Sequence, residues 1–122
     1  MSTETLHPEV RTAIEAAQDK KAGAITLLDL TGLGAFTDCF LLCTGYSTPQ
    51  VTAITDAIEE ALKGRGMRPL HREGRSGAEW VLLDYGSFIV HVFTEKLRLF
   101  YDLERLWRHA APVDLSLEPA LP

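Results

Sequence analysis

The chain has 122 residues and a formal net charge of −5. That length suits one domain whose core needs no disulfide or metal staple. The negative balance argues against affinity gained by neutralising phosphates, so little direct nucleic-acid contact is expected, and it suits a basic protein partner.

Residues 7–23, HPEVRTAIEAAQDKKAG, carry the pattern of a first helix. Pro8 fits its first turn, Glu9 complements the helix dipole there, and Val10, Ala13, Ile14 and Ala17 make one apolar stripe. Gly23 offers a stop. AITLLDL follows as a strand, TGLGAFTD as a glycine-bearing connection, and CFLLCTG as a second strand apolar enough to be buried on both faces. The short connection predicts that these two strands are antiparallel neighbours.

STPQVTAITDAIEEALKGRG reads as the second helix, with Ser47 or Thr48 as cap, Ser47 and Gln50 at capping-box spacing, and Gly64 or Gly66 at its end. RPLHRE is a third strand reached by a helical crossover, so it should run parallel to the second. EWVLLDYGSFIVHVF then supplies strands four and five around a tight turn. TEKLRLFYDLERLWRHA is a last helical region, capped by Thr94, with Leu99, Leu103 and Leu106 along one side. Here Asp102 stands four residues after Arg98, a spacing that permits an exposed ion pair. The domain is expected to span residues 1–110, with a flexible tail over 111–122, where three prolines and little periodicity occur.

The hairpin is read by parity. A two-residue loop, Gly86-Ser87, puts Val81, Leu83, Tyr85, Phe88, Val90 and Val92 on one face and Trp80, Leu82, Asp84, Ile89, His91 and Phe93 on the other. The first set is apolar and should meet the helices. The second mixes aromatic groups with an acid and an imidazole, as the centre of an interface does. A cover supplied by the last helical region is the competing reading of that face.

Enzymatic readings are thin. Asp84 and His91 could act as acid and base, but no serine or cysteine nucleophile is placed beside them. Tyr46 and Ser47 lie at a strand-to-helix junction that could cradle a phosphate, yet the same residues are ordinary capping chemistry, and neither phosphate-loop nor dinucleotide-binding signatures occur. The four histidines are scattered without metal-ligand spacing. Cys39 and Cys43, four apart on one strand, lie beyond the ~7 Å that a disulfide can bridge and suit a reducing compartment. No apolar run reaches the ~18 residues of a membrane span, and the first ten residues resemble no targeting peptide. A cytoplasmic protein without catalytic, metal or cofactor residues is therefore expected.

Five segments in order resemble the Iojap-like ribosomal silencing factors: DKKA with LLDL, TDCFLLCTG with QV, PLHREG, EWVLLDYGSFIVHVF, and FYDLERLW. Cys39 and Pro49 depart from the family's usual aromatic and basic residues. The resemblance implies an α/β fold with a mixed β-sheet of about five strands and helices packed on it, nucleotidyltransferase-like but lacking the catalytic carboxylates. LHRE stands where that fold's paired acids belong. It implies a non-enzymatic factor that binds the large ribosomal subunit through ribosomal protein fourteen. Such a factor blocks joining of the small subunit and represses translation under nutrient limitation. The alternative is a nucleotidyltransferase-like nucleotide-binding enzyme. The residues carried over as contacts are Trp80, Leu82, Asp84, Tyr85, Gly86, His91, Tyr101, Asp102, Glu104 and Trp107, with Arg72 and Glu73 at the edge. An aromatic-bearing face also favours a homodimer.

Overall fold

A strand whose every residue is apolar, threonine or glycine is best placed where nothing reaches water, and CFLLCTG occupies the interior of the sheet. In the computed structural model, residues 7–35, 37–106 and 111–112 are described. The elements are α1 (Pro8–Asp19), β1 (Gly23–Asp29), β2 (Cys39–Gly45), α2 (Thr48–Lys63), β3 (His71–Glu73), β4 (Trp80–Asp84), β5 (Phe88–Thr94), α3 (Glu95–Tyr101), α4 (Leu103–Leu106) and β6 (Ala111–Pro112). They form one mixed sheet in the order β3-β4-β5-β2-β1-β6. All seven residues of β2 are buried.

Strands β1 and β2 pair antiparallel, as their short connection predicts. The crossover expectation also holds in direction. β2 is parallel to β5, β5 antiparallel to β4, and β4 antiparallel to β3, so β3 runs parallel to β2 with two strands between them. The tail segment Ala111–Pro112 pairs with β1 at Leu28 and Asp29; residues 113–122 lie outside the described residues.

The helices cover the two faces unequally. α1 and α2 bury Val10, Ala13, Ile14, Ala17, Val51, Ile54, Ile58 and Leu62 against one face. α2 begins as the junction chemistry predicts: Ser47 Oγ accepts from the Gln50 N–H at 3.2 Å, and Gln50 Oε1 accepts from the Tyr46 N–H at 2.7 Å. Gly45 is required there, because a Cβ would lie 2.9 Å from the Val51 backbone nitrogen. α1 stops earlier than Gly23, with Lys20 as its C-cap and Lys21 turning left-handed at φ 62, and Gly23 opens β1 instead.

The last helical region departs from expectation. It is two short helices broken at Asp102, whose φ of 48 is left-handed, a conformation that aspartate tolerates better than most residues. Thr94 caps the first as expected, accepting from the Leu97 N–H at 3.4 Å. The break turns the apolar stripe. Leu97 and Leu103 pack on the sheet, whereas Leu99 and Leu106, expected along one side with Leu103, are 74% and 69% exposed.

Candidate docking face

The hairpin closes in the register that parity requires. Trp80 lies opposite Phe93, Leu82 opposite His91, and Asp84 opposite Ile89. The Tyr85 N–H donates to the Phe88 carbonyl at 3.0 Å, leaving Gly86 and Ser87 as the loop. Gly86 has φ 88, the conformation a primed turn demands at that position. Val81, Leu83, Tyr85, Phe88, Val90 and Val92 join the core under α1 and α2. Ile89 and Phe93 join a second, smaller cluster with Phe40, and Trp80, Leu82, Leu97 and Leu103 lie partly buried against it.

That second face is the candidate site. Trp80 is its centre, half-buried between layers. Its ring stands 4.8 Å from Tyr101, 5.8 Å from His91 and 5.8 Å from Phe93. Beside it a cleft of about 250 Å³ is lined by Trp80, Leu82 and Glu73. Tyr101 is 49% exposed, and the outer surface of α3 and α4 continues outward through Phe100, 76% exposed. Cover by the last helices and an open rim therefore coexist on this face.

His91 is a support beneath this surface. It is 4% exposed, and the Trp80 Nε1–H donates to its Nδ1 at 3.2 Å. Indole nitrogen only donates, so the proton of the neutral imidazole sits on Nε2, which is buried with no partner among the described residues. Burial pushes its pKa down to about 4. The Asp84 carboxylate accepts from the Gly86 N–H at 2.8 Å and braces the turn. The acid–base pair considered from sequence is thus two separate structural bonds.

The other sequence-named residues divide as follows. Tyr85 is buried on the opposite face, stacked 5.0 Å from Phe88, and burial pushes its phenol up to about 12. Tyr85 and His91 are thus both buried in the free protein. At the edge strand β3, the Glu73 carboxylate bonds the His71 imidazole at 2.7 Å, and Arg72 pairs with Glu59. Asp102 caps α4, accepting from the Arg105 N–H at 3.3 Å, and does not form the expected pair with Arg98. Trp107 lies outside the described residues.

Arg98 was not among the sequence-named site residues, and Glu104 is its carboxylate partner at 2.9 Å. A six-residue spacing across a helix break matches no helical pair rule, so helical periodicity gives no signal for it.

At the junction before α2 three amides have partners: Tyr46 and Gln50 donate to side chains, and Val51 donates to the Ser47 carbonyl at 3.0 Å. Strand β3 stands three sheet steps from β2, roughly 14 Å at ordinary strand spacing. Among the described residues no group of three or more His, Cys, Asp or Glu side chains is gathered for a metal, and no helix is long and apolar enough to cross a membrane. Both cysteines are free, and burial pushes each thiol up to about 12.

A mixed α/β sheet, closed on one face by α1 and α2 and half-covered on the other by α3 and α4, leaves a small cleft beside Trp80. The family model described as "Ribosomal silencing factor during starvation" matches residues 3–121, and the chain belongs to that family. It is 40% identical over 107 residues to a Bacillus subtilis protein named ribosomal silencing factor, covering 88% of this chain and 91% of that one. A Halalkalibacterium halodurans protein of the same name is 38% identical over 104 residues, covering 85% and 89%. A crystal structure of a Chromobacterium violaceum protein matches with a TM-score of 0.77 at 38% identity, covering 82% of this chain and 83% of that one.

Proposed function

We propose that this protein is a non-enzymatic, cytoplasmic ribosomal silencing factor. It binds the large ribosomal subunit through ribosomal protein fourteen and occupies a surface that the small subunit needs. Translation is thereby repressed under nutrient limitation. The observation that carries this reading is the part-exposed Trp80–Tyr101 ring pair beside a cleft that Glu73 also lines, in a chain of the silencing-factor family.

The chemistry of the cleft supports a basic protein partner. Its floor is the Trp80 ring and Leu82, and Glu73 stands at its side. A lysine or arginine lays its methylene stem on such a floor, its cation meeting both the indole face and the carboxylate. The net charge of −5 adds long-range attraction to a basic partner and repulsion from exposed phosphates.

Sedimentation with separated ribosomal subunits tests the reading. The protein should travel with large subunits, not with small ones, and should lower the yield of joined ribosomes when added before mixing. Absence from the large-subunit fraction at every salt concentration overturns it.

A second reading rests on the exposed Leu99, Phe100 and Leu106, an apolar group on the outer side of α3 and α4. Such a surface favours a homodimer. Sedimentation equilibrium of the free protein across concentrations distinguishes monomer from dimer.

A further inference from the structure

The guanidinium of Arg98 is saturated. Its Nε donates to Glu104 Oε1 at 2.9 Å and its Nη2 to Glu104 Oε2 at 3.2 Å. Nη2 also donates to Thr26 Oγ1 at 3.0 Å. Nη1 donates to Thr44 Oγ1 at 2.9 Å and to the Ala24 carbonyl at 2.6 Å. All five N–H groups of the fork therefore have acceptors. The residue is 8% exposed, and its Cζ lies 5.7 Å from the centre of the Phe93 ring.

The partners are arranged for this fork. The pairing of β1 with β2 slips between Gly23 and Thr26, and Ala24 sits inside the slip at φ 44, a left-handed conformation rare for alanine. The Ala24 carbonyl accepts from Arg98 and, at 3.1 Å, from the Thr26 hydroxyl. The left-handed Asp102 supplies the other half, turning the chain so that Glu104 on α4 meets Arg98 on α3.

The helices carrying these groups have little else to hold them. α3 has seven residues and α4 has four, well below the length at which helices persist alone. Leu97 and Leu103 are the apolar residues they set against the sheet, while Leu99, Phe100 and Leu106 face outward. Yet α3 ends on Tyr101, the wall of the Trp80 site.

We infer that Arg98 and Glu104 form a latch that presets α3 and α4, and with them Tyr101, for docking. Arg98 is a positioning residue of the face, and Glu104 acts through Arg98 rather than as a rim contact. The inference rests on the proposed binding of large subunits. A lysine cannot replace the fork, because its three donors leave from one point and cannot span a carboxylate, two hydroxyls and a carbonyl together.

Amide hydrogen exchange and large-subunit binding, measured on the full chain and on Glu104→Ala, Glu104→Gln and Arg98→Lys, test the latch. In Glu104→Ala, exchange over residues 95–106 should accelerate while β2 and β5 keep their protection. If the competent arrangement is then populated about one-tenth of the time, affinity for isolated large subunits falls about tenfold. Protection of residues 95–106 should return in the bound complex. Glu104→Gln, which keeps an acceptor oxygen, should lie between wild type and alanine, and Arg98→Lys should resemble alanine.

Unchanged exchange in both Glu104→Ala and Arg98→Lys overturns the latch, whatever the binding result. Faster exchange with full affinity overturns its role in docking. Weaker binding with unchanged exchange makes Glu104 a contact instead. Loss of protection throughout the sheet in Glu104→Gln and Arg98→Lys as well would make the pair a requirement of the fold alone. Failure of the wild-type protein to bind large subunits sinks the docking reading, and with it the latch's role there, while the exchange comparison still judges the latch itself.

Discussion

The hairpin of β4 and β5 presents two faces made from alternate residues of one segment, and they are held by different physics. The face under α1 and α2 is carbon against carbon, closed and deeply buried. The face under α3 and α4 is held partly by polar bonds: Trp80 to His91, Asp84 to Gly86, Arg98 to Glu104. A closed apolar face contributes stability that no partner can use. A half-covered face with committed polar groups contributes less stability but keeps a fixed shape while staying accessible. Substitutions on the two faces should therefore separate folding from binding.

The largest separation is expected at Phe88, fully buried on the closed face. Phe88→Ala should cost ~3–5 kcal/mol of stability, from lost burial and the cavity left behind. Urea unfolding measures this, and the folded fraction should bind large subunits with unchanged affinity. A loss below ~1 kcal/mol would show that the closed face relaxes as easily as the open one.

The next effect belongs to pH. His91 has a folded pKa of about 4 against 6.5 unfolded. As pH falls below 6.5 the unfolded chain binds this proton first, so the contribution of His91 to stability declines from 6.5 down to about 4 and levels below it. A shift of that size corresponds to ~3 kcal/mol. Urea midpoints of wild type and His91→Phe, compared across that window, isolate it: the variant should lack this part of the acid sensitivity. Parallel curves would mean that the imidazole takes up its proton in the folded state at the ordinary pH.

Trp80→Ala should reverse the pattern of Phe88→Ala. As a half-exposed aromatic centre it should cost ~2 kcal/mol or more in large-subunit affinity, roughly thirtyfold, with a smaller stability loss than Phe88→Ala. Co-sedimentation titrations and urea unfolding on the same preparations give both numbers. Equal losses in the two would place Trp80 in the core rather than at the face.

The legible part of this molecule was whatever depended on period and turn chemistry. The alternation of EWVLLDYGSFIVHVF, with a glycine where a primed turn needs positive φ, fixes which residues share a face, and the observed register agrees. The uninterrupted apolar run of CFLLCTG likewise marks an interior strand. The region after Thr94 was less legible, because one left-handed residue decides it. A continuous helix and a broken one share the same local pattern up to Asp102. Past it, Arg98 meets tertiary partners at residues 24, 26, 44 and 104 that no local pattern announces. His91 illustrates the same limit: its spacing from Asp84 suggested a pair, whereas the nearest bond for each lay elsewhere.

The smallest expected effect concerns Asp84, which stands on the open face yet spends its carboxylate on the turn. Asp84→Ala removes the acceptor for the Gly86 N–H and should cost ~1 kcal/mol of stability, the ordinary worth of one such bond. Asp84→Asn keeps an acceptor oxygen for that N–H but loses the charge. If Asp84 serves docking by shaping the turn, alanine should weaken large-subunit binding and asparagine should leave it nearly intact. If its charge meets a basic partner, both variants should bind more weakly, and the asparagine deficit should shrink as salt screens the pair. Salt titration of Asp84→Asn against wild type thus decides whether the acid of the DYG turn belongs to the structural or to the recognising half of the hairpin.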